Sequence, residues 1–357
     1  MPPTEPRPPS APPPNQTRPA LDLHRHARGF VPQPFRAAWR ALTPHAPPET
    51  GLGALPDLGV GAAFVCAVGD GVVTRTHVGR SAPAAVEAQL VGVEREAVRS
   101  GVSVVRSVAE VEAAYAVGRS AVLLGVEGAD ALGPDEEAAL GLLDAWAARG
   151  VRLVGLVHLG DNALGSTSLP WQRYAGPLPV RRSRPGLTPL GHRVLARCRQ
   201  QGVLVDVAHA DRTTLLDVTA AAVAPVVASH SGARAVQDFA RYLSDEELRA
   251  VARTGGVVGL WPFRHGRTGV RDLAELVAHA RHVADLVGAQ HLAVGTDANG
   301  VPGVLSGWDG GAGPVAAALL AGGFDEGEVS GVLHGNALRV LSEVEQHGTD
   351  GPRAPSA

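Results

Sequence analysis

A (β/α)8 barrel is the fold class that this sequence predicts, on three observations. Six short apolar runs each end in a side chain able to hold a metal or move a proton: ALDLH at His24, AVLLGVE at Glu127, VRLVGLVH at His158, GVLVDVAH at His209, APVVASH at His230 and HLAVGTD at Asp297. Val/Leu/Ala-rich runs of this kind, separated by longer helical stretches, read as parallel strands buried on both faces. In a (β/α)8 barrel the C-terminal strand ends converge on one mouth, so residues distant in sequence meet at one polar site.

The elements alternate regularly. Nine of the first nineteen residues are proline, which predicts a disordered, polyproline-like tail over residues 1–19 with no signal-peptide core. Strand one ends at His24; GVGAAFVCAV is strand two, followed by a helix near Ala82 to Ser100; strand three ends at Glu127. Pro134 suits the first turn of the next helix and Gly150 its stop, after which strand four runs to His158. Thr188 and Pro189 read as N-cap and first position of a helix that Gly202 terminates, and strand five then ends at His209. Strand six ends at His230, and Ser244 with Glu247 makes a capping box for the helix leading into strand seven, GGVVGLWPF. Strand eight ends at Asp297, and a closing helix starts near Asn336. The barrel is expected over residues 20–345, with 346–357 a second loose end.

Composition narrows the chemistry. The 357 residues contain no lysine, so all 32 basic residues are arginine; Schiff-base enzymes, P-loops and a carbamylated lysine between two metals are excluded. A net charge of −3 recruits no nucleic acid, and no apolar run is long enough to span a membrane. Cys66 and Cys198 are too few and too far apart for a disulfide framework or a cysteine zinc motif. Cytoplasmic residence is the default expectation. The glycines of GLGALPDLGVG do not join a strand to a helix, so no dinucleotide fingerprint is read there. The long loop from Trp171 to Gly186 carries Arg173, Arg181, Arg182 and Arg184 and reads as a solvated segment or an entrance for an anionic substrate.

Taken singly, a histidine at a strand end is usually structural. Six histidine-or-acid positions at predicted strand ends form a pattern, and His24, Glu127, His209 and His230 make an all-N/O ligand set for zinc or a similar divalent ion.

From about Leu21 to Leu341 the chain resembles the membrane dipeptidase (renal dipeptidase) family of zinc peptidases. The segments that carry the resemblance occur in the family's order: DLHRH, GVEGAD, LVHLGDNALG, GLTPLGHRVL, VDVAHAD, ASHSGARAV, RYLSDEELRAVARTGGVVG, AVGTDANG and GNALRVL. The resemblance implies a metal-dependent hydrolase that cleaves dipeptides. Two zinc ions are implied, with Glu127 bridging them, His24 on one and His209 plus His230 on the other. It further implies that His158 contacts substrate and stabilises the oxyanion, that Arg241 binds the terminal carboxylate, and that Asp297 passes a proton to the leaving amine. A homodimer is the assembly common in the family, although no segment displays an obvious interface stripe.

Three departures stand out. His26 occupies the place of the family's second acidic ligand after strand one, leaving the first ion one anionic ligand short while still offering a coordinating imidazole. Asn299 stands where the family usually carries a second aspartate, and WPFRHGRTG is short. They open two alternatives: hydrolysis of another amide or a lactam with an altered, even single-metal, site, or a non-catalytic binding protein.

Overall fold

The structure is a computed structural model that describes residues 18–33, 35–37, 49–174, 186–265, 268–300, 308 and 310–349. Eight parallel strands close into a barrel: β1 (Ala20–Arg25), β2 (Val60–Val68), β3 (Ala121–Glu127), β4 (Val151–Gly155), β5 (Leu204–Asp206), β6 (Val226–Ser231), β7 (Val257–Leu260) and β8 (Leu292–Val294). Each pairs with the next in sequence, and the ring closes by β1 against β8 with Asp22 opposite Val294. These are the eight strands that the apolar runs predict. A ninth, three-residue strand, Ser103–Val105, and a helix, Val108–Ala116, lie between β2 and β3 and were not anticipated.

Alternation along the strands sorts the core into two layers. In β3, Ala121 and Leu123 face the barrel axis, where they join Leu21, Leu23, Ala62, Phe64, Leu153, Leu204 and Val227. Val122, Leu124 and Val126 face outward to the helices. Glu127 keeps the inward parity of 121 and 123 and so rises from the axis at the mouth. Leu338, Leu341 and Val344 of the closing helix, Asn336–Thr349, pack into the same inner layer as these strand residues.

Local signals account for most helix ends. Thr188 caps the helix Pro189–Gln200 through its side chain to Gly191 N–H, and the Ser244–Glu247 capping box is formed. Gly150 ends the helix Glu136–Arg149 with φ 116°. The start of that helix differs from expectation: Asp135 is the N-cap and Pro134 precedes it, because a side-chain acceptor satisfies the Ala138 N–H, which proline has no means of doing. The closing helix extends to Thr349, so residues 346–349 are helical and not part of a loose end; 350–357 lie outside the described residues. The proline-rich stretch 1–17 and Arg181, Arg182 and Arg184 lie outside them too. Among the described residues no helix is long and apolar enough to cross a membrane.

Candidate metal centre

The site lies where the C-terminal strand ends meet. His24 is the fifth residue of β1, Glu127 the last of β3 and His230 the fifth of β6. His158, His209 and Asp297 stand three residues past the ends of β4, β5 and β8, and so occupy loops where the apolar runs had suggested strand ends. The ladder stops earlier because the backbone turns to other partners: Thr167 pairs with Ala210, and Asp297 N–H donates to His24 O at 2.8 Å.

All of the predicted site residues come together around Glu127. Its Oε1 lies 3.0 Å from His209 Nε2, 3.4 Å from His24 Nε2 and 3.6 Å from His230 Nε2. Oε2 lies 3.3 Å from His26 Nε2 and 3.6 Å from His158 Nε2. Asp297 Oδ1 is 3.3 Å from His26 Nε2 and 4.0 Å from His24 Nε2. Two ligands bound at about 2 Å to one tetrahedral ion stand about 3.3 Å apart, the spacing found here. Ligand atoms lie within 4.8 Å of one another in each of three sets: His24, Glu127 and His230; His24, His26 and Asp297; Glu127, His158 and His209. Buried His24 Nε2 and Glu127 Oε2 have no hydrogen-bond partner among the described residues. Orphaned polar atoms at the centre of a buried N/O cluster fit a divalent cation.

The surroundings set the charges. Burial opposes ionisation of Glu127, but the His158 and His24 charges and a hydrogen bond from His209 outweigh it and hold the carboxyl well below its usual range. Burial likewise opposes the imidazolium of His26, yet the adjacent Asp297 and Glu127 carboxylates raise it to about 9. For His158 burial is outweighed by Glu127 and Asp70, and its pKa is raised. His209 and His230 are driven down, first by burial and then by neighbouring positive charge that includes Arg241.

Several residues that sequence reasoning missed orient these ligands. Asp70 Oδ2 accepts from His158 Nδ1 at 2.5 Å while its Oδ1 caps the turn Gly71–Thr74 through Val72 and Val73 N–H. Cys66 O accepts from His26 Nδ1 at 2.9 Å, which leaves Nε2 aimed at Glu127 and Asp297. Asp22 accepts from His24 N–H and from the Thr296 N–H and hydroxyl, tying β1 to the segment after β8. Asp206 and Ser229 lie beneath His230. Asp22, Asp206 and Ser229 sit at short offsets from a ligand, as in Asp22-x-His24 and Asp206-x-x-His209, a signal that could have flagged them; Asp70 and Cys66 are distant in sequence from every ligand and carry no such signal.

Two sequence departures gain physical meaning. Asn299 donates to His26 O and Thr50 O and accepts from Thr50 N–H, a combination that a carboxylate, lacking donors, is unable to make. It also holds φ 66°, and Asp297 holds φ 52°, left-handed conformations that fit this tight turn. Arg241 differs from the expected open anion receptor. It is 1% exposed, donates from Nε to His209 Nδ1, from Nη1 to Ala208 O and from Nη2 to His230 Nε2, and stacks on Trp261 at 4.9 Å. The guanidinium therefore turns inward, because two neutral imidazoles and a carbonyl supply acceptors for its donors.

Residues 30–353 match the membrane dipeptidase family, peptidase family M19, a span that opens just after His24 and His26. The chain belongs to this family. Among curated relatives, dipeptidase verJ of Clonostachys rogersoniana is 29% identical over 71% of this chain and 62% of its own length. Mouse dipeptidase 3 is 30% identical over 63% of this chain and 45% of its own length, so the chain spans about half to six-tenths of these relatives. Solved structures share the fold. A Rhodobacter sphaeroides metallopeptidase liganded with a phosphinate mimic of L-Ala-D-Ala has a TM-score of 0.75 at 24% identity, covering 92% of this chain and 100% of that one. The probable dipeptidase PvdM from Pseudomonas aeruginosa gives 0.73 at 22%, covering 92% and 96%.

Proposed function

We propose that this protein is a metal-dependent dipeptidase in which His24, His26, Glu127, His209 and His230 would hold two zinc ions. The observation that carries the reading is a single buried carboxylate whose two oxygens lie within 3.0–3.6 Å of five imidazole nitrogens from four different chain segments. Family membership supports the same reading. His24, His26 and Glu127 would hold one ion; Glu127, His209 and His230 would hold the other. The chemistry that such a pair supplies when bound is a lowered pKa for water and polarisation of the scissile carbonyl.

The chain's own residues supply the rest. His158, protonated and fixed by Asp70, presents Nε2–H toward Glu127 and the developing oxyanion. Asp297, at the rim beside His26, carries the proton that the leaving amine requires. Arg241 binds the substrate's terminal carboxylate. Its Nη2 and a cation would claim the same lone pair on His230 Nε2, so ion loading is coupled to release of the guanidinium toward substrate. His26 adds a nitrogen where an acid would add charge, which raises the affinity of the first site for borderline ions such as zinc relative to magnesium. Cytoplasmic residence is part of the proposal, supported by two buried, unpaired thiols at Cys66 and Cys198; a homodimer is the proposed assembly, to be checked by light scattering.

The test is hydrolysis of a dipeptide panel by the purified chain, with bound ion counted in the same sample. Turnover that tracks zinc content supports the reading. A zinc-loaded, folded protein inert toward every dipeptide but active on another amide or a lactam overturns the substrate assignment.

A further inference from the structure

One hydroxyl touches histidines assigned to both ions. Ser229, fully buried on β6, places Oγ 2.9 Å from His230 Nδ1 and 3.4 Å from His24 Nδ1, and 2.6 Å from Asp206 Oδ2. Among the described residues, the other polar neighbour of His24 Nδ1 is the Cys66 sulfur at 3.5 Å, a weak partner. Asp206 is itself committed: Oδ1 accepts Ala208 N–H and Ser229 N–H, each at 2.9 Å.

The hydrogen count leaves one arrangement. A serine hydroxyl has one proton and two acceptor lone pairs. The carboxylate takes the proton, so toward both imidazoles Oγ acts only as acceptor, and both must carry their ring proton on Nδ1. His230 is fixed from its other side as well, since Arg241 Nη2 is a donor only and lies 2.9 Å from Nε2. We propose that Asp206 and Ser229 form a shared tautomer lock, which keeps the Nε2 lone pairs of His24 and His230 free for the two ions. The two are positioning residues; neither is required to touch substrate. This inference rests on the two-ion reading above and assigns that site a common support beneath both ions.

Asp206→Asn is the sharp test because the two backbone N–H groups compel the amide oxygen to stay at the Oδ1 place. The amide NH2 then faces Ser229, the hydroxyl is turned round, and its proton points at the imidazoles. Zinc affinity, read by competition with a chromophoric chelator, is expected to fall about 10–100-fold at both ions, the usual cost of losing an outer partner of a ligand. Ser229→Ala should also weaken both, and Ser229→Thr, which keeps the hydroxyl, should restore them; these two serve if Asp206→Asn does not fold. Unchanged affinity in folded Asp206→Asn or Ser229→Ala, a loss at one ion alone, or a His230 ring proton found on Nε2 of the wild-type protein by nitrogen NMR each overturns the lock. A wild-type protein that binds no divalent ion fails differently: it removes the two-ion reading itself.

Discussion

Replacing Asp70 with asparagine isolates the role of His158 from the ion ligands. In the native site Oδ1 accepts Val72 N–H at 2.6 Å and Val73 N–H at 3.1 Å, while Oδ2 faces His158 Nδ1. An asparagine must keep its oxygen on the two backbone donors, so its NH2 meets His158 Nδ1 and forces that nitrogen to become the acceptor. His158 then loses its second proton and the charge that the Asp70 carboxylate helps to hold. A neutral, differently anchored imidazole is a poorer oxyanion donor, and loss of one such donor costs about 10²–10³-fold in kcat, or about 2.7–4 kcal/mol. Stability should change little, since asparagine and aspartate are comparable N-caps. Steady-state dipeptide hydrolysis beside a thermal melt measures both. A folded Asp70→Asn enzyme with kcat within about twofold of wild type would refute the reasoning, because an unaided His158 would then suffice.

Three further outcomes follow from the site and the core. Arg241→Ala should raise KM for dipeptides with a free terminal carboxylate by about 10–150-fold, the equivalent of about 1.5–3 kcal/mol for a charged hydrogen-bonded contact, and leave amidated substrates unaffected; equal effects on both would remove the carboxylate role. Chelation should lower the melting temperature and zinc restore it, since free ion at about a thousand times Kd stabilises by about 4 kcal/mol; a melting curve indifferent to chelator would count against an ion in the buried cluster. His279, 1% exposed and accepting from Ala233 N–H, is pushed down by burial to about 4. Its folded pKa is depressed, so the stability it contributes is present above about 6.5 and lost as pH falls toward 4, on the order of 3 kcal/mol. Denaturant unfolding at pH 7 and pH 4 should show that loss in wild type and less of it in His279→Asn, whose side-chain oxygen can still accept from Ala233.

Strand-forming runs were legible because parallel barrel strands are apolar on both faces, and the polar residue that ends each run breaks that pattern visibly. Glu127 and His230 stand out for this reason. The supporting carboxylates did not, because Asp22 and Asp206 lie inside strands and Asp70 opens a loop, positions at which a single acid has many readings. The strand Ser103–Val105 is too short to show a period, so the β2–β3 connection read as one helix. Arg241 shows a different limit. Only the family resemblance pointed to it as a carboxylate binder, and its inward turn depends on the neutral forms of His209 and His230, which only three-dimensional packing determines.

The central claim is that Glu127 is shared by two divalent ions. Its most direct test is the ion count per chain, with turnover, for wild type and Glu127→Gln. The account predicts two ions and activity in the wild type, and at most one firmly held ion with activity reduced by several orders of magnitude in the folded variant. Two ions and undiminished turnover in Glu127→Gln would contradict it.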